Sequence, residues 1–316
     1  MLACMVLLSH LHGRVGLFSH SLLGTVFTAM GYLAVGVFFF LSGYGLYASM
    51  EKKKGYLEHF IGQKFLPFYV VYLFLCVVYV ITMLILKGSV DGSQLLFSML
   101  YGKTVVVSGW YLQAQMLLYL VFYLTFKFTK NGLYWTLLAT ALYCIVCPLV
   151  GLPSTWYETV PCFVLGLWAA KNNALIQEWL QKRTLVISAG AINLIVFMGL
   201  LLLGNKSVLP DIVRIPVKML SAYSFVALAV LLVTFVKTEN PVTAFLGDRS
   251  LELYALQGIF LELLRPVITN DWLYMLIVTL TLLVAAVAAK PVLSAINKKT
   301  AALCLSLSKK GESING

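Results

Sequence analysis

The feature that most constrains this chain is an apolar segment, residues 26–48, that contains no charged residue. A helix rises about 1.5 Å per residue, so a run of this length can cross the hydrocarbon core of a bilayer. The whole chain is 61% hydrophobic and 11% charged. Soluble domains carry about 25% charged residues. We therefore expect a protein that is surrounded mostly by lipid.

Further apolar segments bring the number of predicted spans to about ten. Short loops join them, and no polar stretch is long enough to form a separate soluble domain. The predicted fold class is all-α, a polytopic membrane protein with its helices in one bundle. We expect one membrane domain over residues 1–316, ending in a cytoplasmic tail at 298–316. The predicted spans are 1–12, 26–50, 65–86, 110–126, 133–150, 157–170, 184–203, 216–236, 251–268 and 272–290.

The first of these segments, 1–12, is shorter than the roughly 20 residues that a span needs. Two explanations stay open. Either helix one is enclosed within the bundle, or the chain as given starts downstream of its natural beginning and helix one is truncated.

The basic residues predict the orientation. If the N-terminus is cytoplasmic, most of the 23 lysines and arginines fall on cytoplasmic loops or on the tail. The positive-inside rule then places both termini in the cytoplasm. Anionic lipid at the inner surface accounts for the net charge of +11. A nucleic-acid partner is not expected, since the pattern gives no basic folded face.

The six cysteines are scattered through apolar segments. Cys144 and Cys147 have the spacing of a C-x-x-C pair, but no second pair and no nearby histidine accompanies them. Such a pair needs a supporting context to indicate a metal or redox site. We therefore predict no metal site and no bound cofactor.

Polar side chains form a stripe in segment 110–126. Tyr111, Gln115 and Tyr119 recur every four residues, so they share one helical face. Trp110 and Gln113 are expected at the outer entrance of this helix. An interfacial aromatic belt would explain the first turn of the stripe, and a cavity lining would explain its deeper residues. The spacing leaves both interpretations open.

Segment 251–268 is the second polar helix. Residues 247–250 are expected to form a turn and an N-cap. Tyr254 and Gln257 follow at helical spacing, with Gly258 beside them to let another backbone approach. Glu252 falls on another face, where we expect it to pair with Arg249 near the cytoplasmic surface.

Two residues have a possible chemical role. His10 could exchange a proton at neutral pH, or it could be an ordinary solvated histidine at a helix end. Lys64, near the cytoplasmic mouth of the third span, could bind a phosphate or could simply follow the positive-inside rule. The spacing alone does not decide either case.

Five fragments, taken in order, resemble acyltransferase family 3, the ten-helix membrane acyltransferases that O-acetylate surface glycans. The resemblance covers nearly the whole chain. It rests on His10 ending helix one, Phe-Phe-Phe-Leu-Ser-Gly-Tyr at 38–44, Lys-Phe-Leu-Pro-Phe-Tyr at 64–69, Trp-Tyr-Leu at 110–112 and Gly-Asp-Arg-Ser-Leu-Glu-Leu-Tyr at 247–254.

The resemblance implies an O-acyltransferase, with acetyl-CoA as the donor substrate and His10 as the catalytic base. The acceptor would be a hydroxyl of a cell-envelope glycan or its lipid-linked precursor, in a bacterial cell membrane. The family's helix-one arginine would fall before Met1, and Gln257 stands where the family often has histidine. The donor phosphates would meet Lys64, Lys52, Lys53 and Lys54. The cavity or acceptor residues would be Ser42, Tyr44, Trp110, Tyr111, Gln115, Tyr119, Tyr254 and Gln257.

Two other functions are compatible with this sequence. A transporter or flippase of a lipid-linked sugar commonly shows two related halves, and no convincing repeat relates residues 1–150 to 151–300. An inactive paralogue with a scaffolding role is the other.

Overall fold

The computed structural model describes residues 1–16, 18–19, 21–205, 209–236 and 240–315, with side chains up to residue 307. It is 83% helical, and the described residues form no strand. In chain order the α-helices are α1 (Leu2–Val15), α2 (Leu22–Lys52), α3 (Leu66–Lys87), α4 (Gly92–Met99), α5 (Trp110–Phe128), α6 (Gly132–Leu149), α7 (Pro161–Lys171), α8 (Asn173–Gln181), α9 (Arg183–Gly204), α10 (Asp211–Phe235), α11 (Pro241–Asp248), α12 (Ser250–Leu264) and α13 (Asp271–Asn315).

The chain forms two compact units. Unit 1 comprises Met1–Lys52 and Thr129–Asp248, and unit 2 comprises Lys53–Phe128 and the residues from Arg249 onward. Each unit is described by itself below. The single domain expected over residues 1–316 stays a prediction.

Unit 1 is organised around α2. This helix packs against α7 most extensively, against α1 along its first half and against α10. Two glycines allow α2 and α7 to approach closely: a Cβ on Gly43 would lie 2.1 Å from the Phe163 carbonyl oxygen, and one on Gly166 would lie 2.0 Å from that of Phe40. Small residues let membrane helices approach backbone to backbone, so both positions require glycine.

Unit 2 is organised around α3 and α13. Helix α13 packs against α3, α12 and a short π-helix, Ile61–Phe65, that leads into α3. A Cβ on Gly62 of that π-helix would lie 2.9 Å from the Cβ of Cys304 in α13. Turns of π-helix are uncommon and are frequently found at functional sites.

Six helical segments of the described chain are long and apolar enough to cross a membrane. The predicted count of about ten is therefore not confirmed. The remaining predicted segments correspond to α1, α5, α7 and α12, and three of these are shorter than the about 20 residues of a span. The six segments are Leu22–Lys52, Ile61–Lys87, Gly132–Leu149, Arg183–Gly204, Asp211–Phe235 and Asp271–Leu307.

The sequence missed three short helices, α4, α8 and α11, which are too short to give a strong apolar pattern. The N-cap of helix α4 is Asp91, whose side chain accepts a hydrogen bond from the Ser93 amide at 2.9 Å. Hydrogen bonds from the Ser93 side chain and backbone hold the pKa of Asp91 below its ordinary value. Helix α11 occupies the first part of the turn expected at 247–250. The N-cap of α12 is Arg249, without a side-chain capping bond.

Two predicted helix ends lie further along the chain than expected. Helix α1 does not end at His10 but continues to Val15, where Gly16 in the left-handed conformation (φ 71°) terminates it. His12 and Arg14 are accommodated within the helix, so His10 is an interior helical residue. Helix α13 continues through the segment expected as a tail, as far as Asn315.

Candidate functional site

The polar stripe of α5 lies in unit 2, and its central residue is buried. Gln115 is 2% exposed, and both its side-chain oxygen and its nitrogen have no hydrogen-bond partner among the described residues. A buried polar group that lacks a partner loses its hydration without compensation. The great majority of buried polar atoms in proteins are paired, so Gln115 is an exception that requires an explanation.

Gln113 provides a direct comparison, because it is the same residue type two positions earlier in the same helix. It is 1% exposed, but its amide is fully engaged. The amide nitrogen donates to the carbonyl oxygens of Phe97 (3.0 Å) and Ser98 (3.2 Å), and the amide oxygen accepts from the Gly102 amide (3.2 Å). Gln113 therefore anchors α4 and the following loop.

Lys64 lies next to Tyr119, the last of the three stripe residues in chain order. It is exposed and belongs to the π-helix, with its ammonium 5.9 Å from the ring centroid of Tyr119. The rings of Phe60 and Phe68 pack on Tyr119 at centroid distances of 6.0 and 5.7 Å. A cation near an aromatic ring is attracted to it, so the ring helps to position the ammonium.

Helix α12 packs against the first residue of the α5 stripe, Tyr111. The rings of Tyr254 and Tyr111 meet edge to face, with centroids 5.1 Å apart. The Tyr254 hydroxyl donates to the Ser108 carbonyl oxygen at 2.7 Å, and the Gln257 amide nitrogen donates to the Tyr254 carbonyl oxygen at 3.0 Å. The Gln257 amide oxygen has no hydrogen-bond partner among the described residues. Tyr254 and Gln257 are both buried.

The structure does not place Glu252 at the surface, where it was expected to pair with Arg249. Glu252 is buried, since the first turn of α12 is already covered by protein. One of its carboxylate oxygens, Oε2, has no hydrogen-bond partner among the described residues. Glu252 is thus another buried polar group with an unsatisfied atom in unit 2.

Unit 2 therefore brings five predicted residues into one polar column. From one end to the other these are Lys64, Tyr119, Gln115, Tyr111 and Tyr254, with Gln257 beside the last. Trp110 stands at the start of α5 with its ring 6.4 Å from that of Tyr111. A cation at one end and the unpaired Gln115 amide within would suit an elongated ligand that has an anionic end and a polar chain.

A separate cleft of about 80 Å³ in unit 2 is lined by none of these residues. Tyr79, Val107 and Gly258 form part of its wall. A Cβ on Gly258 would lie 2.4 Å from the Val107 Cβ and 2.6 Å from the Tyr79 hydroxyl. Gly258 therefore lies in a close contact, but the groups that approach it are the side chains of Val107 and Tyr79 rather than the backbone that was expected.

The catalytic candidate His10 belongs to unit 1. It is half-buried in α1, where its neighbour Ser9 donates a hydrogen bond to the Thr28 carbonyl oxygen of α2 at 3.2 Å. Ser42 lies about 20 Å beyond Thr28 along α2, at 1.5 Å per residue. Within unit 1, His10 is therefore not brought together with Ser42 or Tyr44.

Ser42 and Tyr44 flank the helix contact at Gly43. Ser42 is half-buried, and the Tyr44 hydroxyl donates to the side-chain oxygen of Asn173 at 3.0 Å, joining α2 to α8. The Phe-Phe-Phe-Leu-Ser-Gly-Tyr segment thus has a packing role in unit 1. The exposed residues that follow it, Lys52, Lys53 and Lys54, end α2 and begin the next segment.

Sequence reasoning missed a buried ion pair in unit 1. Glu158, just before α7, is 2% exposed, and its carboxylate accepts from the ammonium of Lys218 in α10 at 3.2 Å. Ser154 donates to the same carboxylate oxygen, and the Lys218 ammonium lies 5.2 Å from the ring centroid of Tyr32. The available signal was an acidic residue inside an apolar segment, since such residues are costly in a membrane.

Comparison with known protein families gives a match over most of the chain. A model of the family described as "Acyltransferase domain", acyltransferase family 3, matches residues 1–290. Neither a search of curated proteins nor a search of solved structures gave a match.

Proposed function

The chain belongs to acyltransferase family 3, and on that premise we propose that it is a membrane O-acyltransferase that uses cytoplasmic acetyl-CoA. The acceptor in this proposal is a hydroxyl of a cell-envelope glycan or of its lipid-linked precursor. The family match over residues 1–290 carries the proposal. Six apolar helices fit the membrane location that such an enzyme requires.

The donor is proposed to bind at the polar column of unit 2. Its phosphates would meet Lys64, which the π-helix and the Tyr119 ring position at one end of that column. The exposed Lys52, Lys53 and Lys54 would raise the local concentration of an anionic donor. The tyrosines and glutamines of α5 and α12 would then face the remainder of the donor or the acceptor.

The chemistry proposed for His10 is general-base catalysis. One ring nitrogen takes the proton of the acceptor hydroxyl while the hydroxyl oxygen attacks the thioester carbonyl carbon. The carbon–sulfur bond then breaks and the proton passes to the departing sulfur, which leaves as the CoA thiol. The new bond is the ester bond of the acylated glycan, and the transfer balances without an oxidant, a reductant or a metal ion.

The proposed location is a bacterial cell membrane, with several passes and both termini in the cytoplasm. The excess of basic residues on one set of loops supports this orientation.

The decisive experiment measures base-labile acetyl ester on the surface polysaccharide of the host. A deletion strain is complemented with the wild-type protein, with His10→Ala, or with His59→Ala as a control at an exposed histidine, all at equal membrane levels. We expect His10→Ala to reduce ester formation by about 100-fold or more, as is typical for loss of a general base. His59→Ala should retain it.

Two results would contradict the proposal in different ways. Equal amounts of acetyl ester in the strains complemented with the wild type and with His10→Ala would show that His10 is not the catalytic base. If the deletion strain carries as much acetyl ester as its parent, the proposed function is contradicted and transport of a lipid-linked sugar is favoured.

A further inference from the structure

The contrast between Gln113 and Gln115 has a functional meaning. Both are buried in the same helix, but the first has three hydrogen bonds and the second has none among the described residues. Gln113 therefore stabilises the fold through its hydrogen bonds, whereas the Gln115 amide contributes no such bond among the described residues. An apolar side chain at 115 would avoid the cost of an unpaired buried amide, so this position is suited to something that is absent when the protein is empty.

We propose that Gln115 binds a secondary amide of the substrate, and that this amide is the first one in the pantetheine arm of the acyl-CoA donor. The inference rests on the proposed function, because it takes the donor class from there. It assigns to Gln115 the recognition of the uncharged pantetheine arm of the donor.

The chemistry of the side chain selects the ligand class. A primary amide offers N–H donors and a carbonyl acceptor in one plane, and both sides of Gln115 are unpaired. A secondary amide presents the complementary carbonyl and N–H groups. The flanking residues on the same helix, Ala114 and Met116, are buried and apolar.

The position of Lys64 favours the donor as the source of that amide. Lys64 lies at Tyr119, and Gln115 precedes Tyr119 by four residues, a rise of about 6 Å along α5. In coenzyme A, the phosphate ester oxygen is separated from the first amide carbonyl by a short branched chain that spans roughly 5 Å at ordinary bond lengths. A donor whose phosphate met Lys64 could reach Gln115 with the part of its chain that carries the first amide, since the two lengths are of the same order.

Two other occupants share part of this chemistry. An N-acetylated sugar acceptor also carries a secondary amide, and a water molecule can pair with both sides of a glutamine. The experiment has to separate these from the pantetheine arm.

The test measures equilibrium binding by calorimetry on the purified full-length protein in lipid nanodiscs. The probes are coenzyme A, an analogue in which a methylene group replaces the N–H of the first amide, and N-acetylglucosamine with glucose as its control. The proteins are the wild type, Gln115→Leu, the more nearly isosteric Gln115→Met, and Lys64→Met. Monodispersity in size-exclusion chromatography confirms that each variant is folded, and the second substitution keeps the test decisive if the first does not fold.

We expect the wild type to bind coenzyme A about tenfold more tightly than the methylene analogue, the usual effect of one hydrogen bond. Gln115→Leu and Gln115→Met should bind the two probes with equal affinity, and no more tightly than the wild type binds the analogue. A purely structural role for Gln115 would not abolish the discrimination between the two probes.

Three contrary results can be distinguished, because each contradicts a different part of the proposal. If Lys64→Met weakens coenzyme A binding but the Gln115 variants bind like the wild type, the donor class stands and the inference fails, with water as the occupant. If Gln115 variants lose only N-acetylglucosamine binding, the amide belongs to the acceptor and the donor assignment is overturned. If the wild type does not bind coenzyme A at all, the proposed function fails together with the inference.

Discussion

The Lys218 ammonium donates a hydrogen bond to the Glu158 carboxylate at 3.2 Å, across 60 residues of sequence. The pair joins α10 to the segment that precedes α7 within unit 1. The glutamate side chain is 2% exposed and that of the lysine is 21% exposed, so most of the pair is shielded from water. Removing one partner from such a pair leaves the other charge buried and uncompensated.

We therefore expect Glu158→Leu to destabilise the protein by roughly 3 kcal/mol, because Lys218 keeps its charge without its partner. The double substitution Glu158→Leu with Lys218→Met should recover most of that loss, since neither charge is then buried. Thermal unfolding in one detergent, arranged as a double-mutant cycle, measures the coupling. Additive effects of the two single substitutions would show that the ion pair contributes nothing.

Gly43 should tolerate no side chain. The Cβ of Gly43→Ala would lie 2.1 Å from the Phe163 carbonyl oxygen, so α2 and α7 would have to separate. We expect a loss of at least about 3 kcal/mol or failure to fold, at the upper end of the cost of overpacking. Gly45→Ala is the matched control, because a Cβ there meets nothing within 4 Å. The yield of monodisperse protein provides the measurement, and equal yields from the two variants would contradict the close contact.

The two glutamines of α5 should respond in opposite directions to the same substitution. Gln113→Leu removes the hydrogen bonds to Phe97, Ser98 and Gly102, and we expect a loss of about 2 kcal/mol. Gln115→Leu removes a buried amide that lacks partners, so the ligand-free protein should gain about 1 kcal/mol. Thermal unfolding without ligand tests both. Equal destabilisation by the two substitutions would mean that Gln115 is satisfied in the empty protein.

Lys64 should determine the salt dependence of donor binding. Lys64→Met removes an exposed cation from the end of the polar column, and we expect coenzyme A to bind about tenfold more weakly at low ionic strength. The difference should shrink as salt screens the interaction in the wild type. Lys182→Met is the control, because Lys182 is an exposed lysine that already pairs with Glu178 in unit 1. Similar losses from both variants would indicate a general effect of net charge.

The helices of this protein could be predicted from the sequence because a membrane helix is a local feature. Apolar runs and their ends depend on residues that are neighbours in the chain, so segment 110–126 corresponds closely to α5 (Trp110–Phe128). The four-residue spacing of Tyr111, Gln115 and Tyr119 likewise identifies one face of α5. Composition and motif order were sufficient to indicate the family.

Only the tertiary structure decided what those faces contact. Gln113 and Gln115 are the same residue type, two positions apart in one apolar segment, yet the α4 segment pairs with the first and leaves the second unpaired. The pairing of Glu158 with Lys218 was also not predictable from the sequence. The physical reason is the same in each case. Periodicity determines the direction in which a side chain leaves its helix, whereas its partner is set by the packing of elements that are distant in the chain.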